Sequence, residues 1–494
     1  MDYLDPLKKR RKKTRLMIMY GLIGIIIAIA TVVFVYLING YSIDRQTGEV
    51  IQNGLIYLDS KPESAEIFLN GQKQRGRTDA RLVLPAGSYD IELRRDGYRT
   101  WSRNLALEGG SLRRLTYARM VPEVLESELA LNMPVVPNMM SQSADKRWLV
   151  TAFTDNPLLM RVIDMNKSQF DYINLPLPLE LLDTKEPGTW EVIDWADDNK
   201  NFLAVYRTAS VSEFVIIDRE DGTKSRKLKT LFPTVQYSEV NLRSRKNDLM
   251  YLYDGVSKTL YQGDTRDGSF SIVQQDVLAY KTFGDNTVLY ITAKNSEPGT
   301  VTVYLKNGND THKIRNLKES PKYLLDISKL GDAIVLGISS PVENRAIIYN
   351  DPVNSLKNND FSSIPVPATV LRVDNPTELE ISADSSVILV RGSLEVASHE
   401  FDADRSYSFR FETPIDEGTK LKWIDGQHFL LSIAGKQLML DFDGSNRYEM
   451  VNSNGQLGSF FNGNVDFMYT AVPGTSSTEP YQLIRTFMRT AEDR

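Results

Sequence analysis

The chain has 494 residues, more than one hydrophobic core usually contains, so we expect two or more folded units. With 23 Tyr and 19 Phe, the composition favours pleated sheets, and we expect a mainly β protein. The absence of cysteine excludes disulfides, thiolate metal ligands, a cysteine nucleophile and a lipidated cysteine. The formal net charge is −6, but residues 1–15 carry +5, and the −11 of the remainder argues against nucleic acid as a ligand.

A basic tail, residues 1–15, opens the chain. Its cations are Lys8, Lys9, Arg10, Arg11, Lys12, Lys13 and Arg15. Alone, such a run is also typical of a nuclear-localisation or RNA-binding segment. The segment that follows favours a different interpretation.

Residues 16–38 form an uncharged stretch of 23 residues, fourteen of which are Leu, Ile, Val or Phe. As a helix this stretch is about 35 Å long, enough to cross a hydrocarbon core of about 30 Å. A cleaved signal peptide is the alternative, but no small-x-small cleavage site follows, so we expect a retained anchor. Because the basic residues precede the helix, we expect a single-pass plasma-membrane protein with its N-terminus in the cytoplasm and its C-terminus outside.

A short polar stem, residues 39–52, leads into a compact β pattern at residues 53–121. Six short strands are expected there, with an Asn70-Gly71 hairpin turn between alternating hydrophobic residues. This density of strands predicts a small antiparallel β-sandwich.

These residues resemble the PEGA domain, a small β module of bacterial and archaeal surface proteins. The matching positions are Pro62, Ala65, Gly71, Gly76, Thr78, Leu84, Gly87, Tyr89, Gly97 and Tyr98. Two positions depart from the family pattern: Ser64 stands where the family has glycine, and Asp79 where it has proline. The resemblance implies a spacer or interaction module beside a membrane anchor, without catalytic residues.

We expect a linker at residues 122–143, where Pro122, Pro134 and Pro137 interrupt the pattern and Val124 to Leu131 suit one or two helical turns.

From residue 144 to 494 a polar turn followed by an apolar strand recurs eight times. The turns begin at Asp145, Asp198, Asn247, Asp285, Gly331, Asp384, Asp425 and Gly463. A second turn follows most of them, as at Asn166, Asp221, Asp267, Asn307 and Asp443.

The spacing of these units, 38 to 53 residues, is typical of four-stranded blades. The pattern predicts a β-propeller of seven or eight blades, and two stacked β-sandwiches are the alternative. The expected fold class is therefore a transmembrane helix, a small antiparallel β-sandwich and a β-propeller.

Motifs of catalysis and cofactor binding are scarce. His312, His399 and His428 are isolated in sequence, and we expect neither a metal site nor a cofactor. Two acidic clusters stand out. One is Asp194, Asp197 and Asp198 beside Trp190 and Trp195; the other is Asp441, Asp443 and Glu449. A sugar-cleaving pair and a calcium loop are the respective functional interpretations, but hairpin turns explain both.

We therefore expect a non-enzymatic surface protein whose exported β domains bind a protein or a cell-envelope glycan. An extracellular propeller enzyme acting on polysaccharide is the first alternative, and a self-associating structural component of the envelope is the second. Fold alone does not decide among them.

Overall fold

The computed structural model describes residues 6–38, 40–43, 48–357, 364–452, 457–476 and 479–494. Residues 1–5 of the expected tail, and Asn39 and residues 44–47 of the expected stem, lie outside this set. The chain divides into two compact units. The first unit contains residues Met1–Glu123 and Thr490–Arg494, and the second contains Val124–Arg489.

The first unit begins with helix α1 (Pro6–Ile38), which includes both the basic run and the apolar stretch. The part from Lys12 to Tyr36 is long and apolar enough to cross a membrane. Thr31, inside this part, donates its hydroxyl to the carbonyl oxygen of Ile27 at 2.8 Å. That bond satisfies a polar group that lipid would leave unpaired.

Two four-stranded sheets complete the described part of the first unit. The strands are β1 (Tyr41–Ile43), β2 (Val50–Lys61), β3 (Glu66–Leu69), β4 (Gln72–Arg77), β5 (Ala80–Pro85), β6 (Gly87–Arg94), β7 (Trp101–Leu107) and β8 (Leu112–Arg119). In the first sheet β2 pairs with β1, β5 and β8; the second has the order β4-β3-β6-β7. Their facing side chains form one apolar core that includes Ile56, Ile67, Ile91, Trp101 and Leu115. The expected sandwich is therefore present, and β1 and β2 extend it into the stem. It is not antiparallel throughout, because β2 pairs with β8 in parallel.

The chain enters and leaves this sandwich at opposite ends of β2. Near the start of β2, the N–H of Asn53 donates to the carbonyl oxygen of Gly40, two residues after α1 ends. At the other end, the N–H of Met120 donates to the carbonyl oxygen of Lys61. The eight residue steps from Asn53 to Lys61 span about 26 Å at the usual rise of a strand.

The described part of the second unit contains eight four-stranded sheets, here called blades 1 to 8. Blades 1 to 4 are β10–β13 (Pro137–Gln142, Trp148–Phe153, Leu159–Asp164, Ile173–Pro176), β14–β17 (Thr189–Trp195, Asn201–Arg207, Ser212–Asp218, Arg226–Lys227), β18–β21 (Glu239–Leu242, Leu249–Asp254, Thr259–Asp264, Ser269–Gln274) and β22–β25 (Ala279–Phe283, Thr287–Thr292, Thr300–Asn307, Asp310–Lys318). Blades 5 to 7 are β26–β29 (Leu324–Leu330, Ala333–Ser340, Arg345–Asn350, Thr369–Arg372), β30–β33 (Glu378–Ile381, Val387–Arg391, Glu395–Glu400, Arg405–Arg410) and β34–β37 (Lys422–Trp423, His428–Ile433, Lys436–Asp441, Tyr448–Asn452). Blade 8 is β38 (Ser459–Phe461), β39 (Phe467–Ser476), β40 (Glu479–Phe487) and β9 (Ser127–Met133). Short helices α2 (Leu228–Leu231) and α3 (Pro352–Lys357) lie in connections.

The expected linker was wrong in its secondary structure, because residues 122–143 contain β9 and β10. β9 pairs with β40, with Leu131 opposite Leu483, so a strand from the start of the unit completes its last sheet. The alternation Leu129-Ala130-Leu131 suits a strand as well as a helical turn, and only the distant partner strand decides between them. The structure gives eight blades, and consecutive four-stranded sheets fit a propeller rather than two sandwiches.

The recurrent polar turn connects the first and second strands of a blade. In blade 2, the carboxylate of Asp198 accepts the backbone N–H groups of Lys200 and Asn201, both at 2.8 Å. In blade 7, Asp425 accepts those of Gln427 and His428 in the same way. An aspartate that bonds its own backbone two and three residues on fixes a tight turn, which explains why acidic residues recur at this spacing.

Apolar cores fill the spaces between neighbouring blades. Val162 of blade 1 belongs to one cluster with Phe202 of blade 2, and Leu305 of blade 4 to one cluster with Leu336 of blade 5. Each such aliphatic or aromatic side chain stabilises the fold by about 1.5–3 kcal/mol when fully buried. The second strands are almost continuously apolar because both of their faces contact a neighbouring blade.

Candidate binding site at the mouth of the propeller channel

The first strand of each blade lies nearest the propeller axis. β10 lies beside β14, β22 beside β26, and β26 beside β30, so the first strands of successive blades surround a common channel. All eight begin at the same end of the channel, because every blade has the same order of antiparallel strands. This end is called the entry mouth below.

Two cavities open at the entry mouth. One, of about 400 Å³, is lined by residues that include Met140, Glu191, Lys422 and Phe460. The other, of about 530 Å³, is lined by residues of blades 4 to 6 that include Tyr280, Tyr323 and Glu380. Both are lined by residues 418–420, the connection between blades 6 and 7, so they adjoin one another. Concave surfaces of this volume are typical of binding sites.

A lysine surrounded by carboxylates lies inside the channel. The ammonium group of Lys281 on β22 lies 3.2 Å from Oδ1 of Asp326 on β26. The charge of Asp326 raises the pKa of Lys281 against the effect of burial, and Glu380 and Asp194 add to the rise. Oδ2 of Asp326 accepts the N–H of Ile381 at 2.7 Å. Asp326 therefore connects the first strands of blades 4, 5 and 6.

Two glutamates of β30 lie side by side at the second cavity. Glu378 is paired with Arg391 and accepts the N–H of Leu421, which immediately precedes the next blade. Burial raises the pKa of Glu380 to about 8, and the negative charges of Glu378 and Asp326 contribute. Burial and the neighbouring carboxylates therefore favour the neutral, protonated form of Glu380 in the channel.

The first cavity contains a desolvated lysine. Lys422 donates to the carbonyl oxygen of Ser459 and lies 4.0 Å from the centre of the Phe460 ring. Burial lowers the pKa of Lys422 to about 7, and repulsion from Lys146 contributes. The entry mouth thus combines a lysine whose pKa is lowered by burial with a carboxyl whose pKa is raised by burial.

The first acidic cluster predicted from the sequence is brought together around an arginine. Nε of Arg245 lies 3.4 Å from Asp197 and 3.8 Å from Asp194. Asp198 is engaged in the turn of blade 2. Trp190 and Trp195, which stand beside this cluster in the sequence, are 3% and 5% exposed and belong to the core between blades 1 and 2.

The second acidic cluster forms a hairpin turn and a histidine contact. Asp443 accepts the N–H and hydroxyl of Ser445, and Glu449 is paired with Lys436. Buried His428 lies between Asp425, at 2.8 Å, and Asp441, at 3.3 Å.

Of the other histidines, His399 is buried on β32, where desolvation lowers its pKa, and His312 is on β25, at the periphery of blade 4. Within the described residues, no group of three or more His, Cys, Asp or Glu side chains is arranged to hold a metal ion.

The motif residues of the small sandwich stabilise its turns. Thr78 is 5% exposed; its hydroxyl accepts the N–H of Ala65 at 2.9 Å and lies 2.6 Å from that of Ser60. Gly71, Gly76 and Gly97 adopt positive φ angles. Tyr89 donates to the carbonyl oxygen of Pro85, Tyr98 is buried, and Leu84 packs against the core. Ser64, at the family's glycine position, has a φ of 65°.

Two further motif residues of the small sandwich lie at the ends of strands. Pro62 follows β2, and Gly87 begins β6. The seven basic residues of the tail all fall within α1. Their role in orientation stays a prediction.

Sequence reasoning missed the channel residues. Lys281, Asp326, Glu380 and Lys422 each stand in a short strand, without any motif. The usable signal is a single charged residue in the first strand of a blade, as in Leu324-Leu325-Asp326-Ile327. Such a residue is recognisable only once the blade boundaries are known.

Comparison with known proteins gives one family match: residues 53–118 match the model of the PEGA domain. A search of curated proteins finds no significant match.

Among solved structures, the chain is similar to the β-propeller domain of Myceliophteria thermophila Cps50 (Swd1), at 8% identity over 74% of this chain and 100% of that one, with a TM-score of 0.41. It is similar to the Dos1 propeller at 10% identity over 74% and 96% (TM-score 0.46), and to Kluyveromyces lactis Hsv2 at 10% over 70% and 96% (TM-score 0.38). The eight consecutive four-stranded sheets identify the second unit as a propeller independently of these similarities. Residues 53–118 thus carry a PEGA domain, and the second unit is a β-propeller.

Proposed function

We propose that this chain is a membrane-anchored binding protein whose propeller receives a protein partner at the entry mouth of its channel. The observation that carries the proposal is the pair of adjoining cavities of about 400 and 530 Å³ at that mouth. Helix α1 fits the role of anchor, because Lys12 to Tyr36 suffices to cross a membrane. The PEGA domain follows the anchor along the chain, and the chain enters and leaves this domain at opposite ends of β2.

The charge of the propeller supports a basic partner. Residues 124–489 contain 37 basic and 49 acidic side chains, a net charge of −12. A protein surface with a net charge of one sign accelerates the approach of an oppositely charged partner and disfavours partners of like charge.

Site-specific photo-crosslinking in cells tests the proposal on the full chain. A benzoylphenylalanine at Lys420, an exposed residue that lines both cavities, should form covalent adducts with a protein partner. Benzoylphenylalanine in place of Lys229, an exposed residue of α2 after blade 2, is the matched control. It should form no adducts above background. Lys420→Trp, which fills the junction of the cavities, should reduce the yield of co-purified partner, and Lys229→Trp should not.

Two results would overturn this assignment. Equal adducts from both positions, or none from either, would remove the entry mouth as the binding surface. Turnover of a polysaccharide by the full chain, abolished by Asp197→Asn or Asp198→Asn, would favour an enzyme instead.

A further inference from the structure

The two outer faces of the PEGA domain differ in how their charges are compensated. On the outer face of the second sheet, Glu66 pairs with Lys73 at 2.6 Å and with Arg77 at 3.5 Å, and Arg94 pairs with Glu92. Each of these basic side chains has an acidic partner on the same face. That face is therefore compatible with water and needs no further partner.

The outer face of the first sheet has an exposed apolar row. Leu55 on β2 lies opposite Val83 on β5 and Leu112 on β8. Val83 is 64% exposed and Leu112 47% exposed. Alternation along β2 directs Ile56 and Leu58 into the core, which leaves Leu55 on the outside.

The next row of the same face is aromatic and basic. Tyr57 lies opposite Arg81 on β5 and Arg114 on β8. The guanidinium of Arg81 lies 5.0 Å from the centre of the Tyr57 ring. Among the described residues, neither arginine forms an ion pair with a carboxylate, in contrast to Lys73, Arg77 and Arg94 of the second sheet. Asp59, the nearest acidic residue of β2 on this face, stands one row further on.

The apolar row lies closer to the end of α1 than the arginine row does. α1 ends at Ile38, and the sheet begins where the N–H of Asn53 meets the carbonyl oxygen of Gly40. From Asn53 the apolar row is about 7 Å along β2 and the arginine row about 13 Å. Apolar side chains nearest the anchor, followed by Tyr and Arg, match the sequence of environments from hydrocarbon to lipid headgroup.

We propose that this face of the PEGA domain, defined by the rows Leu55/Val83/Leu112 and Tyr57/Arg81/Arg114, rests on anionic lipid headgroups of the membrane that holds α1. The proposal builds on the proposed anchoring function. Residues 53–121 carry twelve basic and eight acidic side chains, so the domain as a whole is attracted to an anionic surface. A second copy is a poorer occupant, because the two arginines of each copy would face those of the other.

The test uses the absence of cysteine, which makes single-cysteine labelling specific. The full chain with Val83→Cys carries an environment-sensitive fluorophore in nanodiscs of phosphatidylglycerol and phosphatidylcholine, with a nitroxide-labelled lipid as quencher. Ser88→Cys is the matched control, because Ser88 lies near the same end of the domain on the outer face of the second sheet. We expect quenching at position 83, little at position 88, and weaker quenching at position 83 in phosphatidylcholine alone.

Neutralising the two arginines tests whether this face binds anionic lipid or only lies near the membrane. Arg81→Gln with Arg114→Gln should lower the equilibrium constant for lipid contact about 30-fold, at about tenfold per 1.4 kcal/mol and about 1 kcal/mol for each cation. Arg77→Gln with Arg94→Gln, on the other sheet, should leave quenching at position 83 nearly unchanged.

Each contrary result has a distinct meaning. Equal quenching at both positions, or none at position 83 in protein that co-floats with the nanodiscs, would overturn the lipid contact and leave the anchoring intact. Failure to co-float would overturn the anchoring as well. A fluorescence change that depends on protein concentration and not on lipid would assign the face to a second copy.

Discussion

The hydroxyl of Tyr98 donates a hydrogen bond of 2.8 Å to Oδ2 of Asp493, which stands 395 positions later in the chain. The N–H of Thr490 donates to the same phenolic oxygen at 3.0 Å, and Arg95 is paired with the other carboxylate oxygen of Asp493. The last five residues therefore pack on the PEGA domain. Charge-assisted hydrogen bonds of this kind are among the stronger ones in proteins.

Asp493→Asn should release this tail. Loss of a bond to a charged group costs about 1.5–3 kcal/mol, which corresponds to at least about tenfold faster trimming of the C-terminus by a carboxypeptidase. The control is Glu492→Gln, which changes a neighbouring carboxylate and should leave the trimming rate unaltered. Equal rates for wild type and Asp493→Asn would show that the contact does not hold the tail.

The same contact should depend on pH. Partial burial acts to raise the pKa of Asp493, but the hydrogen bonds from Tyr98 and Arg95 outweigh it and hold the pKa below its ordinary range. A carboxyl with a depressed folded pKa stabilises the docked tail above its ordinary pKa and loses that effect as pH falls through the folded value. Hydrogen exchange of residues 490–494 should therefore be protected at pH 5 and lose protection only below the ordinary range.

Ser64→Gly should stabilise the PEGA domain by about 0.5–1 kcal/mol, because glycine avoids the cost of a left-handed backbone but adds freedom to the unfolded chain. Ser64 has a φ of 65° at the family's glycine position. Slower hydrogen exchange of the amides of β3 would confirm the gain. Asn70→Gly, at a φ of 48°, should instead destabilise, since the side chain of Asn70 accepts the N–H of Asp90 at 2.8 Å.

The eight units predicted from the sequence coincide with the second strands of the eight blades because their signal is local. A turn such as Asp198 to Asn201 is fixed by its own aspartate, and the following strand is buried on both faces. β9 was missed because its partner β40 lies some 350 residues away. The channel charges were missed for a related reason, since Asp326 meets Lys281 and Ile381 only when three blades assemble.

Glu380 should make the propeller less stable as pH rises. Its native pKa of about 8 lies well above the ordinary value of 4.5, so between these values the native state holds one more proton than the unfolded state. The free energy of unfolding then falls with pH by up to about 1.4 kcal/mol per unit. Urea midpoints measured from pH 5 to 8 should decline, and Glu380→Gln should flatten the decline. Glu191→Gln, at the exposed rim, should not; parallel profiles for all three proteins would contradict the assignment.

Lys422 should produce the opposite slope at higher pH. Its native pKa of about 7 lies below the ordinary 10.5, so between these values the unfolded state holds one more proton and stability rises with pH. With Glu380, this predicts a minimum in the urea midpoint near pH 7 to 8. Lys422→Met should remove the rise from pH 8 to 10, whereas Lys420→Met, which changes an exposed neighbour, should retain it. A rise that persists in Lys422→Met would place the titrating group elsewhere, and the first cavity would then hold an ordinary charged lysine.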